Sequence, residues 1–384
     1  MLSSKLPDVG VSIFAQMTAL AQQTGALNLA QGFPDYDPPL ALREALARHA
    51  LAPGSHQYAP MPGLPRLREA IAAQVARLQP EAPAPDPATE VTITAGATEA
   101  LYGVLAAVVS AGDEVIILEP AYDLYGPAVR LQGGVPRFVR LPAPGFRPDW
   151  AAVRAALSPR TRLLIVNTPH NPSGAVFGAA DWDTLASLLD GTDVLVLSDE
   201  VYEHLVFDGV APRSARQHPA LRGRSFVLSS FGKTYHATGW KVGYCLAPPA
   251  LSTELRRVHQ FVTFAVSTPT QHALADALLA DPTDAHARGL AAFYQAKRDQ
   301  FRALLADTGW ELLPVPGGYF QLANYQAYAQ KGDVAFATEL ARDWGVAVVP
   351  VSAFYHDGYD PGLVRFCFAK EPPTLAAAAA RLRR

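Results

Sequence analysis

Short apolar runs recur between residues 90 and 250: VTIT, EVIIL, RFVRL, RLLIVN, DVLVL, SFVLS and VGYCLA. Most are separated by stretches in which apolar residues return every three or four positions, such as ATEALYGVLAAVVSAG and AADWDTLASLLDG. Short apolar runs alternating with helical periodicity predict an α/β domain, with a mainly parallel sheet of seven strands flanked by helices. After residue 250 comes a long helical region and then a second strand group, GGYFQLA, VAVVPV and LVRFCFA, interleaved with the helical DVAFATELARDWG. This second pattern predicts a smaller α+β domain. The alanine-rich TLAAAAARLRR predicts a terminal helix, while PEAPAPDPAT and LPAPGFRP read as surface connections. The chain carries no internal repeat.

Composition narrows the class without naming a function. The 384 residues exceed the usual size of a single core, which agrees with one large and one smaller domain. A hydrophobic fraction of 49% with 17% charged residues is that of an ordinary globular enzyme, and a net charge of −3 offers no general attraction to nucleic acid or to an anionic membrane. Cys245 and Cys367 lie in apolar, strand-like surroundings without metal-ligand spacing and read as buried free thiols. The N-terminal VSIFAQMTALAQQ is broken by Gln16, Gln22 and Gln23 and lacks a secretory pattern, and no segment is apolar for long enough to span a bilayer. The expectation is a soluble, cytoplasmic protein.

Ligands of open α/β sheets bind beyond the carboxyl ends of the strands, so the residues after each run are where chemistry is sought. VTIT is followed by AGATEA, EVIIL by EPAYDLYGP, RLLIVN by TPHNPSG, DVLVL by SDEVYEH and SFVLS by SFGKTYHATGWK. In AGATEA a small-residue turn opens a helix, and the N–H groups of Ala97 and Thr98 with the Thr98 hydroxyl can hold a phosphate or simply reverse the chain. The spacing is not that of the dinucleotide fingerprint G-x-G-x-x-G, which counts against a nicotinamide enzyme. Only six of the 32 basic residues are lysine, yet Lys233 and Lys241 sit eight apart in one segment rich in Ser, Gly and Thr. An amine forms an imine with an aldehyde and a guanidinium does not do so usefully; the plainer reading of both lysines is a solvated cation at a strand end. Ser230 and Lys241 flank Lys233 with a hydroxyl and a second cation suited to a phosphate dianion.

Asp199 begins nearly buried at the end of its strand and needs either a cationic partner, such as a pyridinium N–H, or a role as N-cap of a following helix. Tyr202, three residues on, falls on the same side if a helical turn follows. Asn171 lies in a loop stiffened by Pro169 and Pro172, and Tyr122 is either a stacking platform for a flat heterocycle or a core aromatic. Arg365 is a lone guanidinium inside an apolar strand and must find an anion, either an internal carboxylate or that of a substrate.

Together these segments resemble the fold-type I pyridoxal phosphate enzymes of aminotransferase class I and II. The resemblance runs from NLAQGFPDYDPP through QYAPMPGLPRLREAIA, AGATEAL, NTPHNPSG, SDEVYEHLVF and SFGKTYHATGWKVGY to VRFCFAK, and is nearest the branch holding kynurenine aminotransferase (glutamine transaminase K) and bacterial methionine aminotransferase. It implies a large domain over residues 39–284 and a small domain built from 1–38 with 285–384. It implies pyridoxal 5′-phosphate held as an imine by Lys233, with Asp199 on the pyridine nitrogen, Tyr202 and Asn171 on the phenolic oxygen and Tyr122 stacked on the ring. Ala97, Thr98, Ser230 and Lys241 hold the phosphate in that reading, joined by Tyr58 of a second subunit in a homodimer with shared sites. Arg365, Asn171 and the Gly32 N–H bind the substrate carboxylate, while Phe14, and Phe264 from the other subunit, line the side-chain pocket.

The implied reaction is transamination between an L-amino acid (methionine, glutamine, aromatic or kynurenine-like) and a 2-oxo acid, ping-pong through pyridoxamine phosphate. Ala265 stands where kynurenine-using relatives tend to carry histidine, and no second arginine is evident for the side chain of aspartate. β-Elimination from cysteine S-conjugates shares the same chemistry and is the alternative enzyme. A pyridoxal phosphate-binding regulator needs a basic helix-turn-helix segment, which the sequence leaves no room for ahead of the matching region.

Overall fold

All seven apolar runs are strands of one sheet in a computed structural model that describes residues 3–383. In chain order they are β1 (Val91–Thr94), β2 (Glu114–Glu119), β3 (Val135–Arg140), β4 (Thr161–Asn167), β5 (Leu195–Asp199), β6 (Ser225–Ser230) and β7 (Gly243–Leu246). Their spatial order is β1-β7-β6-β5-β4-β2-β3. Pairing is parallel from β3 through β6, whereas β7 is antiparallel to both β1 and β6, so one strand runs against the other six. The inner strands are buried along nearly their whole length because helices cover both faces. β3, at the edge, instead alternates exposed with half-buried positions, only Val139 being buried, and carries Arg137 and Arg140 outward.

Leu101, Leu105, Val129 and Leu255 pack on one face of the sheet from helices Gly96–Val108, Tyr125–Leu131 and Pro249–Val262. Ile71, Val75, Leu185 and Leu274 pack on the other from Pro65–Leu78, Ala179–Leu189 and Thr268–Ala280.

A second sheet is antiparallel throughout, in the order Val349–Pro350, Leu363–Cys367, Phe320–Asn324, Glu311–Leu312. Helices Ala285–Leu305 and Pro372–Leu382 share with it a core that includes Phe301, Phe366 and Leu375. Met17 and Leu29 join that same core, and Leu27–Asn28 pairs in parallel with Val346–Ala347, so the N-terminal segment packs with the C-terminal part of the chain. The run VAVVPV, expected as one strand, is two: Val346–Ala347 pairs with Leu27–Asn28 and Val349–Pro350 with the strand of Arg365. An apolar run records burial, not partners, and this one is buried against both. Cys245 and Cys367 are buried free thiols. Among the described residues no helix is long and apolar enough to cross a membrane.

Candidate active site

A cavity of about 320 Å³ opens where β4, β5 and β6 end and the helix Gly96–Val108 begins. Twelve residues anticipated from sequence line it: Phe14, Gly32, Ala97, Thr98, Tyr122, Asn171, Asp199, Tyr202, Ser230, Lys233, Lys241 and Arg365. Tyr58 and Phe264 do not; they meet edge to face at 5.1 Å on the surface, 82% and 48% exposed.

Lys233 stands on the single helical turn Phe231–Thr234 that follows β6. Burial pulls its pKa down to about 8; Arg365 and Lys241 push the same way, and Asp199 opposes them. Its ammonium donates to the Gly32 carbonyl at 3.0 Å and the Tyr319 hydroxyl at 2.9 Å. Asp199 is the last residue of β5, 7% exposed, and accepts from the Tyr125 hydroxyl at 2.7 Å. Burial raises its pKa and the Tyr125 bond works against that rise, so a further donor facing the cavity would hold it ionised. The segment after it forms tight turns, Glu203 N–H to Glu200 O and Leu205 N–H to Tyr202 O, not a helix. Asp199 is therefore no N-cap, and Tyr202 reaches the cavity from a turn instead of the expected helical face. Burial also raises the Tyr202 phenol well above its ordinary range and pushes Tyr122 up to about 12, so both stay neutral donors.

The loop after β4 ties these groups together. Asn167 donates to the Asp199 carbonyl at 2.8 Å and accepts from the Asn171 N–H at 2.8 Å, which leaves the Asn171 side-chain oxygen to accept from Arg365 Nη1 at 2.7 Å. Arg365 is 1% exposed, and its Nη2 donates to the Ala30 carbonyl at 2.8 Å. Among the described residues its Nε has no hydrogen-bond partner and no Asp or Glu forms an ion pair with it. The rings of Phe320, Phe14 and Phe354 lie 3.9, 5.2 and 5.1 Å from its Cζ. Aromatic faces favour a cation but do not neutralise it, and burial lowers its pKa to about 10. Of the two partners open to Arg365, an internal carboxylate is absent; a buried guanidinium with unspent donors is a receptor for an external one.

The helix Gly96–Val108 starts with no side-chain cap, so its first N–H groups are available to an anion. Gly96 is left-handed, φ +78°, and a Cβ there would lie 3.4 Å from Lys241 Nζ. A Cβ on Gly243 would fall 2.9 Å from the Ala97 N. Two bare α-carbons thus let a lysine and a strand close on the helix start, and with Ser230 they make a corner of donors suited to a phosphate dianion.

Tyr125 and Tyr319 escaped the sequence reading. Tyr125 was visible in AYDLY, three positions beyond Tyr122, where one helical turn brings both to the same side. Tyr319 had no such signal, because its partner Lys233 lies 86 residues away. Outside the cavity Glu119, His356 and Asp357 converge within 4.8 Å, yet Arg140 bonds Asp357 and stands 3.6 Å from Glu119, so these carboxylates already share a cation.

The profile of the aminotransferase class I and II family matches residues 24–382. The chain is 51% identical over 380 residues to methionine aminotransferase of Escherichia coli, covering 99% of this chain and 97% of that one. It is 32% identical over 412 residues to kynurenine–oxoglutarate transaminase of Dictyostelium discoideum, covering 98% and 94%. A crystal structure of an Escherichia coli protein identified as a methionine aminotransferase superposes with a TM-score of 0.96 at 50% identity, over 100% of this chain and 99% of that one.

Proposed function

The chain belongs to the aminotransferases of class I and II, and from that membership we propose that it moves the amino group of an apolar or thioether L-amino acid, methionine foremost, to a 2-oxo acid. The reading is carried by one observation: a half-buried amine of lowered pKa, Lys233, shares a cavity with the buried carboxylate of Asp199 and with an Arg365 that lacks a counter-ion among the described residues.

Pyridoxal phosphate, the cofactor of this family, fits the residues present: the uncapped helix start, Ser230 and Lys241 for its phosphate, Tyr122 for its ring, Asp199 for its pyridine nitrogen, Tyr202 and Asn171 for its phenolic oxygen, and Lys233 for its aldehyde. When bound it supplies an aldehyde that captures amines and a protonated ring that takes up the electron pair left at the substrate Cα. Asp199 keeps the ring nitrogen protonated, held in place by Tyr125. Arg365, Asn171 and the Gly32 N–H grip the substrate carboxylate, which fixes the Cα–H bond relative to Lys233. With a pKa near 8, Lys233 Nζ is neutral in part at physiological pH and takes the Cα proton as a general base.

Phe14, Phe320 and Phe354 crowd Arg365, and Phe14 and Phe320 line the cavity, so the side-chain pocket favours thioether and aromatic groups. The 51% identity to a methionine aminotransferase favours methionine within that class. The two larger sheets, one with all its strands between Val91 and Leu246 and the other with all its strands between Glu311 and Cys367, support a division into residues 39–284 and 1–38 with 285–384. Exposure of Tyr58, Phe261 and Phe264 supports a homodimer in which each subunit lends Tyr58 and Phe264 to the other's site, and the buried free thiols agree with a cytoplasmic enzyme.

The test is Lys233→Ala. We expect turnover of methionine with a 2-oxo acid to vanish, and borohydride reduction of wild-type holoprotein to leave a pyridoxyl group on the Lys233 peptide. Turnover in the variant, or a tag on another peptide, overturns the reading.

A further inference from the structure

Lys233 Nζ has two oxygen partners in a defined geometry, the Gly32 carbonyl at 3.0 Å and the Tyr319 hydroxyl at 2.9 Å. The Tyr319 hydroxyl itself donates to the same Gly32 carbonyl, so its proton is committed and only its lone pairs face the lysine. A neutral amine has two N–H bonds and one lone pair, arranged tetrahedrally. When two fixed acceptors take both N–H bonds, a single direction is left for the lone pair. An ammonium in the same cradle sends its third N–H along that direction, so one line serves both to accept a proton and to return it.

The cradle is rigid. Tyr319 is 0% exposed, and its ring is wedged edge-on by Tyr202 at 5.0 Å and Phe320 at 4.8 Å. Neither acceptor belongs to the seven-stranded sheet whose strand β6 leads into the turn of Lys233: Gly32 follows the N-terminal strand Leu27–Asn28, and Tyr319 immediately precedes the strand Phe320–Asn324 of the second sheet. The aim of the amine is thus set by parts of the chain other than the one that carries it.

We propose that Tyr319 is a positioning residue for amino-group transfer, its hydroxyl oxygen and the Gly32 carbonyl together fixing both N–H bonds of the free Lys233 amine and so aiming its lone pair. The assignment rests on the reading of Lys233 as the proton-moving amine. Tyr319 touches neither substrate nor reacting carbon in this role; it acts through the lysine. Its hydroxyl also favours the charged amine, alongside Asp199 and Cys367 and against Arg365, Lys241 and burial, so its removal lowers the lysine pKa further.

Tyr319→Phe keeps the ring and removes the acceptor. In the ligand-free protein, capture of pyridoxal by Lys233, trapped with borohydride and located by peptide mass mapping across a pH series, is expected to show its midpoint displaced to lower pH. In the holoenzyme, exchange of the methionine Cα proton with deuterium oxide and kcat are both expected to fall about tenfold, the loss of one hydrogen bond, with KM little changed. Should Tyr319→Phe unfold, 3-fluorotyrosine at position 319, a weaker acceptor of nearly the same shape, is expected to move the midpoint and the exchange rate in the same directions by less. A folded variant with unaltered midpoint and exchange rate overturns the role of Tyr319 while leaving the aminotransferase reading intact. Failure of wild-type Lys233 itself to take up pyridoxal overturns both.

Discussion

Arg365 shows how a single residue can be costly for the fold and necessary for the reaction. It is 1% exposed, meets three phenylalanine rings, and keeps one N–H without a partner among the described residues. Replacing a buried ion pair by apolar residues of similar volume is often neutral or stabilising by about 1–4 kcal/mol, and a buried cation without a counter-ion has even less Coulombic gain to offset its desolvation. Arg365→Met is therefore expected to raise the melting temperature of the ligand-free protein by about 2 °C or more in calorimetry, while kcat/KM for methionine falls about 100-fold. A lower melting temperature would mean that the guanidinium is already paid for by the fold. The oddity of Arg365 was legible in LVRFCFA because a cation in an apolar strand is anomalous by itself, and Lys233 was legible because lysine is scarce in this chain. Tyr125 and Tyr319 were not, since a tyrosine is unremarkable until its partner is known.

At the scale of the element, the end of β5 sends its residues to two places. Asp199 and Tyr202 face the active-site cavity, whereas Glu200 and Glu203 line a separate cavity of about 650 Å³. Glu200 is 1% exposed and accepts from the Ser198 hydroxyl at 2.7 Å and the Ala215 N–H at 3.0 Å, yet burial outweighs both bonds and raises its pKa to about 8. Between its ordinary value of 4.5 and 8 the folded protein retains a proton that the unfolded chain has released. The Glu200 contribution to stability is therefore full below that window and lost as pH rises through it. Glutamine keeps the accepting oxygen and has no proton to lose. Glu200→Gln is expected to flatten the fall of melting temperature across this window and to leave the variant the more stable protein at its upper end, read by thermal denaturation at a series of pH values. Six of the seven strand runs were legible because they are buried on both faces, but VAVVPV was misread as one strand, and the helical turn on which the placing of Tyr202 was conditional is instead a pair of tight turns. Both differences concern which hydrogen-bond partner wins, and apolar periodicity does not record that.

The whole molecule leaves an apolar patch uncovered. Phe261 is 86% exposed on helix Pro249–Val262, Val262 49%, and Tyr58 and Phe264, edge to face, lie at 82% and 48%. Exposed apolar patches of this kind are the usual sites of protein–protein contact, and the proposed homodimer would cover this one. Phe261→Asp is expected to shift the sedimenting species from dimer to monomer and to weaken pyridoxal phosphate retention; a stable, active dimer in that variant rules this surface out. The sequence by itself determined the sheet, the second strand group and twelve of the lining residues, because buried runs and anomalous polar residues are local signals. Only the tertiary structure decided that Arg365 has no internal carboxylate among the described residues, that Tyr125 buttresses Asp199 and that Gly32 and Tyr319 converge on Lys233. Those facts depend on segments up to 335 residues apart meeting at hydrogen-bond distance, as Arg365 and Ala30 do, and no window along the chain contains both partners.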